Sequence, residues 1–556
     1  MKSGLEIAQE AVLRPIGEVA ADAGILEEEL EPYGRFKGKV SLSILDRLAD
    51  RPDGKLIITT AITPTKAGEG KTTTSISLAQ GMGRIGKDVM LCLREPSMGP
   101  VFGIKGGGNG GGYAQVVPME EINLHFNGDF HAVQAAHNLL AAALDASIYH
   151  GNPLGIDPVT VTWPRTLDVN DRELRYNVVG LGGKAHGVPR ENQFVIVAAS
   201  EIMAVLALAS DLADLRARLG RVVVASTYDG TPVTAEDLRV AGAMAVILKE
   251  AIKPNLVQTL EGQPTLIHAG PFGNIAHANN SIIEDRIALK LADYVVTEAG
   301  FASDLGFQKF CDIVCRAGGF APSAGVLVTT VRATKSHGGM PFDQLGTEDL
   351  DALRRGIDNL GAHIGIVREY GLPCVVSINN FPTDTDDELE TVRKLALEHG
   401  AYAAEVNDAF ARGGEGATAL AEAAIDAAEQ PSAFGFAYDL QAPVEDKIEA
   451  IAKRVYGADG IFLLKTAREK IGQFTKTGLD RLPICMAKTH LSLSHDATLP
   501  NAPTGFTVTI RDLRAYTGAG WLVALCGDMQ TMPGLGRNAA AFTVDIDAEG
   551  RTVGLF

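Results

Sequence analysis

The chain has 556 residues, of which 46% are hydrophobic and 21% are charged, and its formal net charge is −18. This balance is typical of a folded enzyme with several domains, and it excludes an intrinsically disordered chain. The acidic charge disfavours nucleic acid and anionic membranes as partners, so any anionic ligand requires a local cationic pocket.

The first 54 residues favour helices, on amphipathic runs at 5–12, 25–30 and 41–49. The N-terminus mixes acidic and basic residues among apolar ones and has no continuous apolar segment, so we expect no secretory signal and a cytoplasmic protein. The most apolar long run, 194–209, is interrupted by Ser200 and Glu201 and is shorter than the roughly 18 residues that a membrane span requires. It favours a core strand and helix.

The stretch 56–93 predicts a nucleotide-binding unit. Its β-branched run 56–62 favours a buried parallel strand, and a helix over 72–85 and a second strand over 88–93 follow. The turn between the first strand and the helix can direct its N–H groups at a phosphate, and it consists of Thr65, Lys66, Ala67, Gly68, Glu69, Gly70, Lys71 and Thr72.

This turn follows the P-loop pattern G-x-x-x-x-G-K-S/T, except that Thr65 replaces the first glycine. Lys71 would supply a positive charge for the phosphates, and Thr72 would supply a hydroxyl for Mg²⁺. An ordinary strand, turn and helix, in which the glycines only shape the turn, is the alternative.

Arg94 and Glu95 follow the strand 88–93 directly, at the carboxyl end where ligands bind to open parallel sheets. The guanidinium of Arg94 can bind a carboxylate or a phosphate with two hydrogen bonds, and a surface ion pair with Glu95 is the alternative. The next segment, 103–113, contains seven glycines in eleven residues, which indicates close approach of its backbone to a ligand or to another chain.

Strand and helix patterns then alternate, which predicts an α/β fold with a large doubly wound parallel sheet. Strands are predicted at 193–198, 221–225, 265–269, 294–298 and 326–331, and helices at 129–147, 200–207, 235–243 and 282–291. The loop 268–280 follows a predicted strand, so we expect it at the same crevice as Arg94.

Two smaller α/β patterns follow, which gives predicted domains at 1–360, 361–443 and 444–556. The middle one has a strand at 373–378 and a helix at 386–398. Phe381 and Phe410 lie on its loops, and loops run over the surface, so the two rings are suited to clamp a flat aromatic ligand. Packing beneath the loops is the alternative.

Seven motifs occur in one order along the chain, namely TPTKAGEGKTTT, REPSMGPVFGIKGGGNGGGYAQVVPMEEINLHFNGDFHA, GPFGNIAHANNSIIEDRIALKLADYVVTEAGFASDLG, VRATKSHGG, FPTDTD, ARGGEG and TMPGLG. Together they resemble formate–tetrahydrofolate ligase, also called formyltetrahydrofolate synthetase, from near residue 10 to the C-terminus. The resemblance implies a C–N ligase of one-carbon metabolism that converts ATP, formate and tetrahydrofolate to 10-formyltetrahydrofolate, ADP and phosphate through formyl phosphate.

The resemblance also implies roles for residues of this chain. Lys71 and Arg94 would be catalytic and would bind formate and formyl phosphate, within a first domain that holds ATP on residues 65–72 and near Asn274 and Ala276. The folate would lie on the middle domain, against Phe381, Pro382 and Phe410. The implied cofactors are Mg²⁺, beside Thr72, and a monovalent cation, K⁺ or NH₄⁺, to which Glu95 would contribute. The implied assembly is a homotetramer.

The chain departs from the usual family motifs at a few positions. Gly108 and Asn109 stand where two alanines are usual, and Phe410 stands where some relatives have a tryptophan. Two other functions stay open on the sequence. The loop 66–72 is close to that of ATPases that partition DNA or place the division plane, although the acidity and length of the chain disfavour this interpretation. A non-enzymatic assembly of stacked α/β domains is the second alternative.

Overall fold

The computed structural model describes residues 2–66, 68–103, 106–273 and 275–555. A sheet of 12 strands forms its centre. Numbered in chain order, the strands are β1 Leu30–Pro32, β2 Gly38–Val40, β3 Lys55–Ala61, β4 Val89–Leu93, β5 Gly110–Gly111, β6 Ala114–Val117, β7 Asn255–Thr259, β8 Pro264–Ile267, β9 Tyr294–Glu298, β10 Ala324–Thr330, β11 Cys374–Asn379 and β12 Ala403–Asn407.

The strand order is β1-β2-β7-β8-β4-β9-β3-β10-β11-β12, with β6 paired to β7 and β5 to β6. From β8 to β12 every neighbouring pair is parallel, whereas the pairs of β1, β2, β5, β6 and β7 are antiparallel. Leu56 and Ile58 of β3 pack into one hydrophobic core and Ile57 packs into another. Both faces of this strand are therefore buried, as its continuous apolar run predicts.

Helices cover the sheet, and within the described residues none combines the length and apolar character needed to span a bilayer. The longer helices are Lys71–Arg84, Asp129–Tyr149, Glu201–Leu208, Leu212–Arg221, Ala241–Leu248, Ile282–Leu291, Leu350–Glu369, Asp386–Glu398, Thr418–Ala428, Val444–Arg454 and Lys465–Lys476. The shorter helices are Gly4–Glu10, Ile16–Asp22, Ser43–Arg47, Met98–Phe102, Met119–Asn123, Arg316–Gly318, Val331–His337 and Ala409–Arg412.

The C-terminal part forms three small sheets, one of which is the antiparallel pair Asp545–Ile546 and Thr552–Val553. β13, Gly460–Leu463, pairs in parallel with β15, Thr507–Ile510. β17, Trp521–Leu525, lies between β14, Ile484–Ala487, and β16, Asp512–Tyr516. A buried ion pair of 2.6 Å between Lys488 and Asp304 connects this part to the segment that follows β9.

The strand, helix and strand predicted over 56–93 are confirmed, at β3, Lys71–Arg84 and β4. The predicted helix 282–291 and strand 294–298 have the observed bounds. The helix 282–291 and the strand 294–298 are almost entirely buried, which agrees with their apolar patterns.

Several other predicted elements are wrong. Residues 25–30 form only a 3₁₀ turn, Glu27–Glu29, before β1 begins, because Glu29 turns inward to pair with Arg47 at 2.6 Å. The predicted strand 221–225 is outside the main sheet, since Gly230, at φ +88°, closes a hairpin that pairs Val223–Ser226 with Pro232–Thr234. The segment 193–198 supplies only the two-residue strand Phe194–Val195, and the helix expected at 235–243 runs instead over Ala241–Leu248.

The segment 361–443 shares the main sheet with the first 360 residues. Its strands β11 and β12 continue the parallel order from β10, and the helix Leu350–Glu369 passes through residue 361 without a break. The division at 1–360, 361–443 and 444–556 stays a prediction. The strand order shows that the aromatic loops of the middle segment reach the same sheet edge as the turn 65–72. We call this turn the phosphate loop, after its predicted role.

Candidate active site

The turn after β3 has the backbone shape of a phosphate-binding loop. Gly68 and Gly70 have φ of +73° and +79°, and the helix Lys71–Arg84 begins directly after Gly70. A Cβ atom on Gly70 would lie 2.9 Å from Nδ2 of Asn379, so this glycine is required by a close contact as well as by its backbone angle. Ala67 lies outside the described residues. The loop therefore directs a helix N-terminus at the crevice.

The Glu69 side chain connects back to the first residue of this loop by hydrogen bonds to Thr65. Its Oε1 accepts hydrogen bonds from the backbone N–H of Thr65 at 2.6 Å and from the Thr65 hydroxyl at 3.1 Å. Burial raises the pKa of the Glu69 carboxyl, and the charge of Lys71 partly opposes this rise. The contact holds the first position of the loop, where the sequence has threonine in place of glycine.

Thr72 and Arg94 meet on one carboxylate. The Thr72 hydroxyl donates to Oε2 of Glu298 at 2.6 Å, and Nη2 of Arg94 lies 3.1 Å from Oε1 of the same side chain. Glu298 ends β9, which lies between β3 and β4 in the sheet. The strand order therefore brings the phosphate loop and the predicted formate-binding cation to one carboxylate.

Glu95 turns away from Arg94 into a buried polar cluster. Its Oε2 has no hydrogen-bond partner among the described residues. Burial, and then the charge of nearby Asp129, raise the pKa of Glu95 well above its ordinary range, while Lys39 opposes the rise. Asp129 itself accepts from Lys39 at 2.7 Å and from Asn255 at 2.7 Å. The alternative of a surface ion pair between Arg94 and Glu95 is wrong, because the ion-pair partner of Arg94 is Glu298.

The loop that follows β8 lies beside β4, as the sequence predicts. Asn274 lies outside the described residues. Ala276 is buried, and its carbonyl accepts from Nζ of Lys309 at 3.2 Å. The next residue, His277, is fully buried with no hydrogen-bond partner on either ring nitrogen among the described residues, and burial lowers its pKa to about 3. This loop is thus a buried wall of the crevice beside Arg94, whose charge also lowers the pKa of His277.

The two phenylalanines follow adjacent strands, β11 and β12. The guanidinium of Arg332 lies 4.5 Å from the centre of the Phe381 ring, and Pro382 follows on the same turn. Phe410 is 51% exposed on the short helix Ala409–Arg412, so packing beneath the loop does not account for its ring. The rings therefore stand at neighbouring strand ends, on the side of the sheet that carries the phosphate loop.

The glycine-rich segment packs against Phe410. The backbone N–H of Tyr113 donates to the Phe410 carbonyl at 3.0 Å, and a Cβ atom on Gly112 would lie 2.1 Å from the same oxygen. The backbone of this segment therefore closely approaches another part of the same chain. The predicted approach to a ligand or to another chain stays a prediction. Ile104 and Lys105, within the glycine-rich run, lie outside the described residues.

A network of side-chain amides connects the phosphate loop to the aromatic loops. Nδ2 of Asn379 donates to the carbonyl of Glu69 at 2.8 Å, and its Oδ1 accepts from Thr74 at 3.0 Å. Asn407 donates to Oδ1 of Asn379 at 3.0 Å, and its own Oδ1 accepts from the N–H of Ala409 at 3.2 Å. Sequence reasoning missed both asparagines, although each is a polar residue that ends an apolar strand.

A large cavity lies apart from these residues. Its volume is about 890 Å³, and it is lined by the segment 161–195 and by C-terminal strands, with Trp163, Arg190 and Arg514 among the lining side chains. The phosphate loop, Arg94 and the two phenylalanines do not line it. The candidate site is at the strand ends, where Thr72 of the phosphate loop and the guanidinium of Arg94 both contact Glu298.

Comparison with known proteins identifies the family. A family model described as formate–tetrahydrofolate ligase matches residues 2–556. The chain belongs to the formate–tetrahydrofolate ligase family. The ligase of Desulforamulus reducens is 58% identical over 562 residues, covering 100% of this chain and 99% of the relative. Those of Roseiflexus sp. and Roseiflexus castenholzii are 54% identical and cover 100% of both chains.

Membership in the formate–tetrahydrofolate ligase family removes the two alternative interpretations, a DNA-partitioning ATPase and a non-enzymatic assembly. In the terms of this family, Thr72 and Arg94 are the residues predicted to face nucleotide and formate, and they converge on Glu298. Sequence reasoning missed Glu298, although it is a charged residue that ends an otherwise apolar strand.

Proposed function

We propose that this chain joins formate to N10 of tetrahydrofolate at the expense of ATP and releases 10-formyltetrahydrofolate, ADP and phosphate. The observation that carries the proposal is the meeting of Thr72 and Arg94 on Glu298, at the ends of adjacent parallel strands. The match of the chain to formate–tetrahydrofolate ligases along its whole length supports the same reaction.

The reaction requires activation of an inert acid. A carboxylate is a poor electrophile, so formate first attacks the γ-phosphorus of ATP, and formyl phosphate and ADP form. Residues 65–72 hold the triphosphate through backbone N–H groups and the helix N-terminus, and Lys71 neutralises charge on the phosphoryl group as it moves. The left-handed glycines at 68 and 70 support this role.

Arg94 orients formate and then the acyl phosphate. A planar fork can bind both oxygens of formate, which places one of them in line with the γ-phosphorus. In the second step N10 attacks the formyl carbon, negative charge develops on the carbonyl oxygen, and Arg94 stabilises it as phosphate leaves. The amine is already a nucleophile, so no strong general base is required.

The folate lies between the aromatic loops, in this proposal. Phe381, Pro382 and Phe410 present apolar faces to the pterin, and stacking on a ring is favourable for a flat heterocycle. The position of the two loops at adjacent strand ends supports this assignment. Ala276 and Asn274 are assigned to the adenine side of the nucleotide.

The residues present fit the two proposed cations. Mg²⁺ prefers oxygen ligands and keeps several waters, and the Thr72 hydroxyl beside the Glu298 carboxylate offers this chemistry. When bound, Mg²⁺ would neutralise charge on the phosphates. Glu95 offers a buried oxygen without a hydrogen-bond partner among the described residues, beside Asp129, to a monovalent cation such as K⁺ or NH₄⁺.

We also propose that the protein acts in the cytoplasm as a homotetramer in one-carbon metabolism, with small molecules as its only substrates and no nucleic acid or membrane partner. The net charge of −18 supports the last point. We further propose that ATP and formate bind on residues 1–360, that residues 361–443 contribute the folate site, and that residues 444–556 form a C-terminal domain.

Formate-dependent turnover tests the proposal. Purified protein is given MgATP and a potassium salt, with formate and tetrahydrofolate added singly and together. We expect the folate product, followed by its absorbance after acid conversion, only when all three substrates are present. ATP hydrolysis that is equally fast without formate, and no folate product, would contradict the proposal.

A further inference from the structure

Glu298 lies between the two parts of the site. It ends β9, where its backbone pairs with Thr59 of β3, and the preceding residue, Thr297, pairs with Cys92 of β4. β3 leads into the phosphate loop, and β4 leads into Arg94. A side chain at this strand end can therefore reach both, and the contacts of Glu298 show that it does.

Each oxygen of Glu298 has a different partner. Oε2 accepts from the Thr72 hydroxyl at 2.6 Å, and Oε1 lies 3.1 Å from Nη2 of Arg94. The Glu298 side chain is only 5% exposed and that of Arg94 20%, so water screens this pair poorly. A change at one oxygen therefore changes the charge available to the other.

We propose that Glu298 couples the binding of nucleotide to the binding of formate, through Thr72 on one side and Arg94 on the other. The inference rests on the proposed function, in which Thr72 faces Mg-nucleotide and Arg94 faces formate. Glu298 is a positioning residue in this role, since it acts on both ligands through other side chains.

The direction of coupling follows from the hydrogen bonds. The Thr72 hydroxyl donates its hydrogen to Glu298, which leaves its oxygen lone pairs free for a cation. With its oxygen on the Mg²⁺ of a bound nucleotide, Thr72 would be a stronger donor and would draw the carboxylate charge toward Oε2. The attraction between Oε1 and Arg94 would then weaken, and the guanidinium would be available to bind formate. Nucleotide then tightens formate binding, and formate must tighten nucleotide binding by the same factor.

Calorimetric titration of formate tests the coupling without turnover. The dissociation constant of formate is measured without nucleotide and with saturating MgADP, for the natural protein and for Glu298→Gln. We expect MgADP to lower the constant at least about fivefold in the natural protein, the low end of typical coupling. Glu298→Gln keeps the size of the side chain but removes its charge. In this variant we expect MgADP to change the dissociation constant of formate by less than about twofold, because the coupling is lost.

A second pair of variants changes Thr72, the nucleotide-side partner of Glu298, and tests the coupling even if Glu298→Gln fails to fold. Thr72→Val removes the hydroxyl at nearly constant size, whereas Thr72→Ser retains it. At saturating MgADP we expect coupling to be lost in Thr72→Val and retained in Thr72→Ser. Glu201→Gln, another buried carboxylate that contacts neither partner, is the control and should couple like the natural protein.

The outcomes separate the inference from the proposed function. Suppose that formate binds the natural protein, and that MgADP increases formate affinity by the same factor in Glu298→Gln or Thr72→Val as in the natural protein. The coupling role of Glu298 is then overturned and the proposed function stands. The inference is also overturned if formate binds the natural protein and MgADP changes its affinity by less than about twofold, below the usual range of coupling. If the natural protein binds no formate with or without MgADP, both the inference and the proposed function are overturned.

Discussion

Nδ2 of Asn407 donates to Oδ1 of Asn379 at 3.0 Å, which connects the end of β12 to the end of β11. Asn379 also donates to the carbonyl of Glu69 in the phosphate loop at 2.8 Å. One pair of amides thus holds the phosphate loop on one side and the turn that carries Phe410 on the other.

Replacement of Asn379 by alanine should therefore weaken nucleotide binding. The variant loses a hydrogen bond to the Glu69 carbonyl and one from Thr74, each worth on the order of 1 kcal/mol. We expect the dissociation constant of MgATP to rise about fivefold to tenfold. Asn380→Ala is the matched control, because the Asn380 side chain donates to Asp408 at 3.5 Å and makes no hydrogen bond to the described part of the phosphate loop. Equal losses in both variants would contradict the assigned role.

The sequence predicted the parts of the site that follow a motif or a strand end. Strand β3, the turn and the helix Lys71–Arg84 are local in sequence, and Arg94 follows its strand directly. A continuous apolar run specifies a buried parallel strand because both of its faces are covered. These features require no knowledge of which strands are neighbours.

Glu298 and Asn379 were beyond that reasoning because their roles depend on strand order. Glu298 is 200 residues or more from both of its partners, and only the order β4-β9-β3 places it between them. Spacing along a chain does not give the order of strands in a doubly wound sheet. The same limit explains why the strand predicted at 221–225 was expected in the main sheet and lies instead in a separate hairpin.

Replacement of Arg94 by alanine should abolish formyl transfer with little change in nucleotide affinity. The guanidinium pairs with Glu298 and makes no hydrogen bond to the described residues of the phosphate loop. Loss of a group that stabilises developing charge costs on the order of 10²- to 10³-fold in turnover. Arg94→Lys keeps the charge but not the fork, so we expect only partial recovery. Steady-state rates and MgATP titration check this, and parallel loss of nucleotide affinity would contradict it.

Removal of the exposed ring at Phe410 should weaken folate binding. Stacking is worth about 1 kcal/mol, so Phe410→Ala should raise the KM for tetrahydrofolate roughly fivefold, with kcat less affected. Phe410→Trp offers a larger aromatic face for stacking and should lower the KM for tetrahydrofolate. Phe342→Ala is the control, since Phe342 is another exposed phenylalanine, 62% accessible, on a distant segment of the sequence. An unchanged KM in Phe410→Ala would place the pterin elsewhere.

Gly112 should be as important to the folate site as Phe410 itself. At φ +57°, a Cβ atom on Gly112 would lie 2.1 Å from the Phe410 carbonyl, so Gly112→Ala must displace that turn. We expect a several-fold rise in the KM for tetrahydrofolate, of the size that loss of the ring gives. A Cβ atom on Gly106, in the same segment, meets nothing within 4 Å, so Gly106→Ala is the matched control. Similar values in both variants would show that the close contact is unimportant.

Glu201 should make stability depend on pH where the C-terminal sheet meets the first part of the chain. Its Oε1 accepts from the backbone N–H groups of Gly518 at 2.8 Å and Ala519 at 3.3 Å, and burial raises the pKa of Glu201 to about 7. The folded protein therefore holds this proton more tightly than the unfolded chain, whose glutamate pKa is about 4.3. The stability it contributes is complete below that pH and is lost as the pH rises toward 7.

Glu201→Gln stays neutral at every pH, and its amide oxygen can still accept both hydrogen bonds. The variant should match the natural protein near pH 4.5 and exceed its stability at pH 8 by roughly 3 to 4 kcal/mol, because the pKa of Glu201 rises from about 4.3 unfolded to about 7 folded. Thermal midpoints measured between pH 5 and 8 check this, with the difference growing as the pH rises. Glu445→Gln, an exposed carboxyl on Val444–Arg454, should give no such trend. A difference between Glu201→Gln and the natural protein that does not vary with pH would show that Glu201 is ionised at no cost in the folded state.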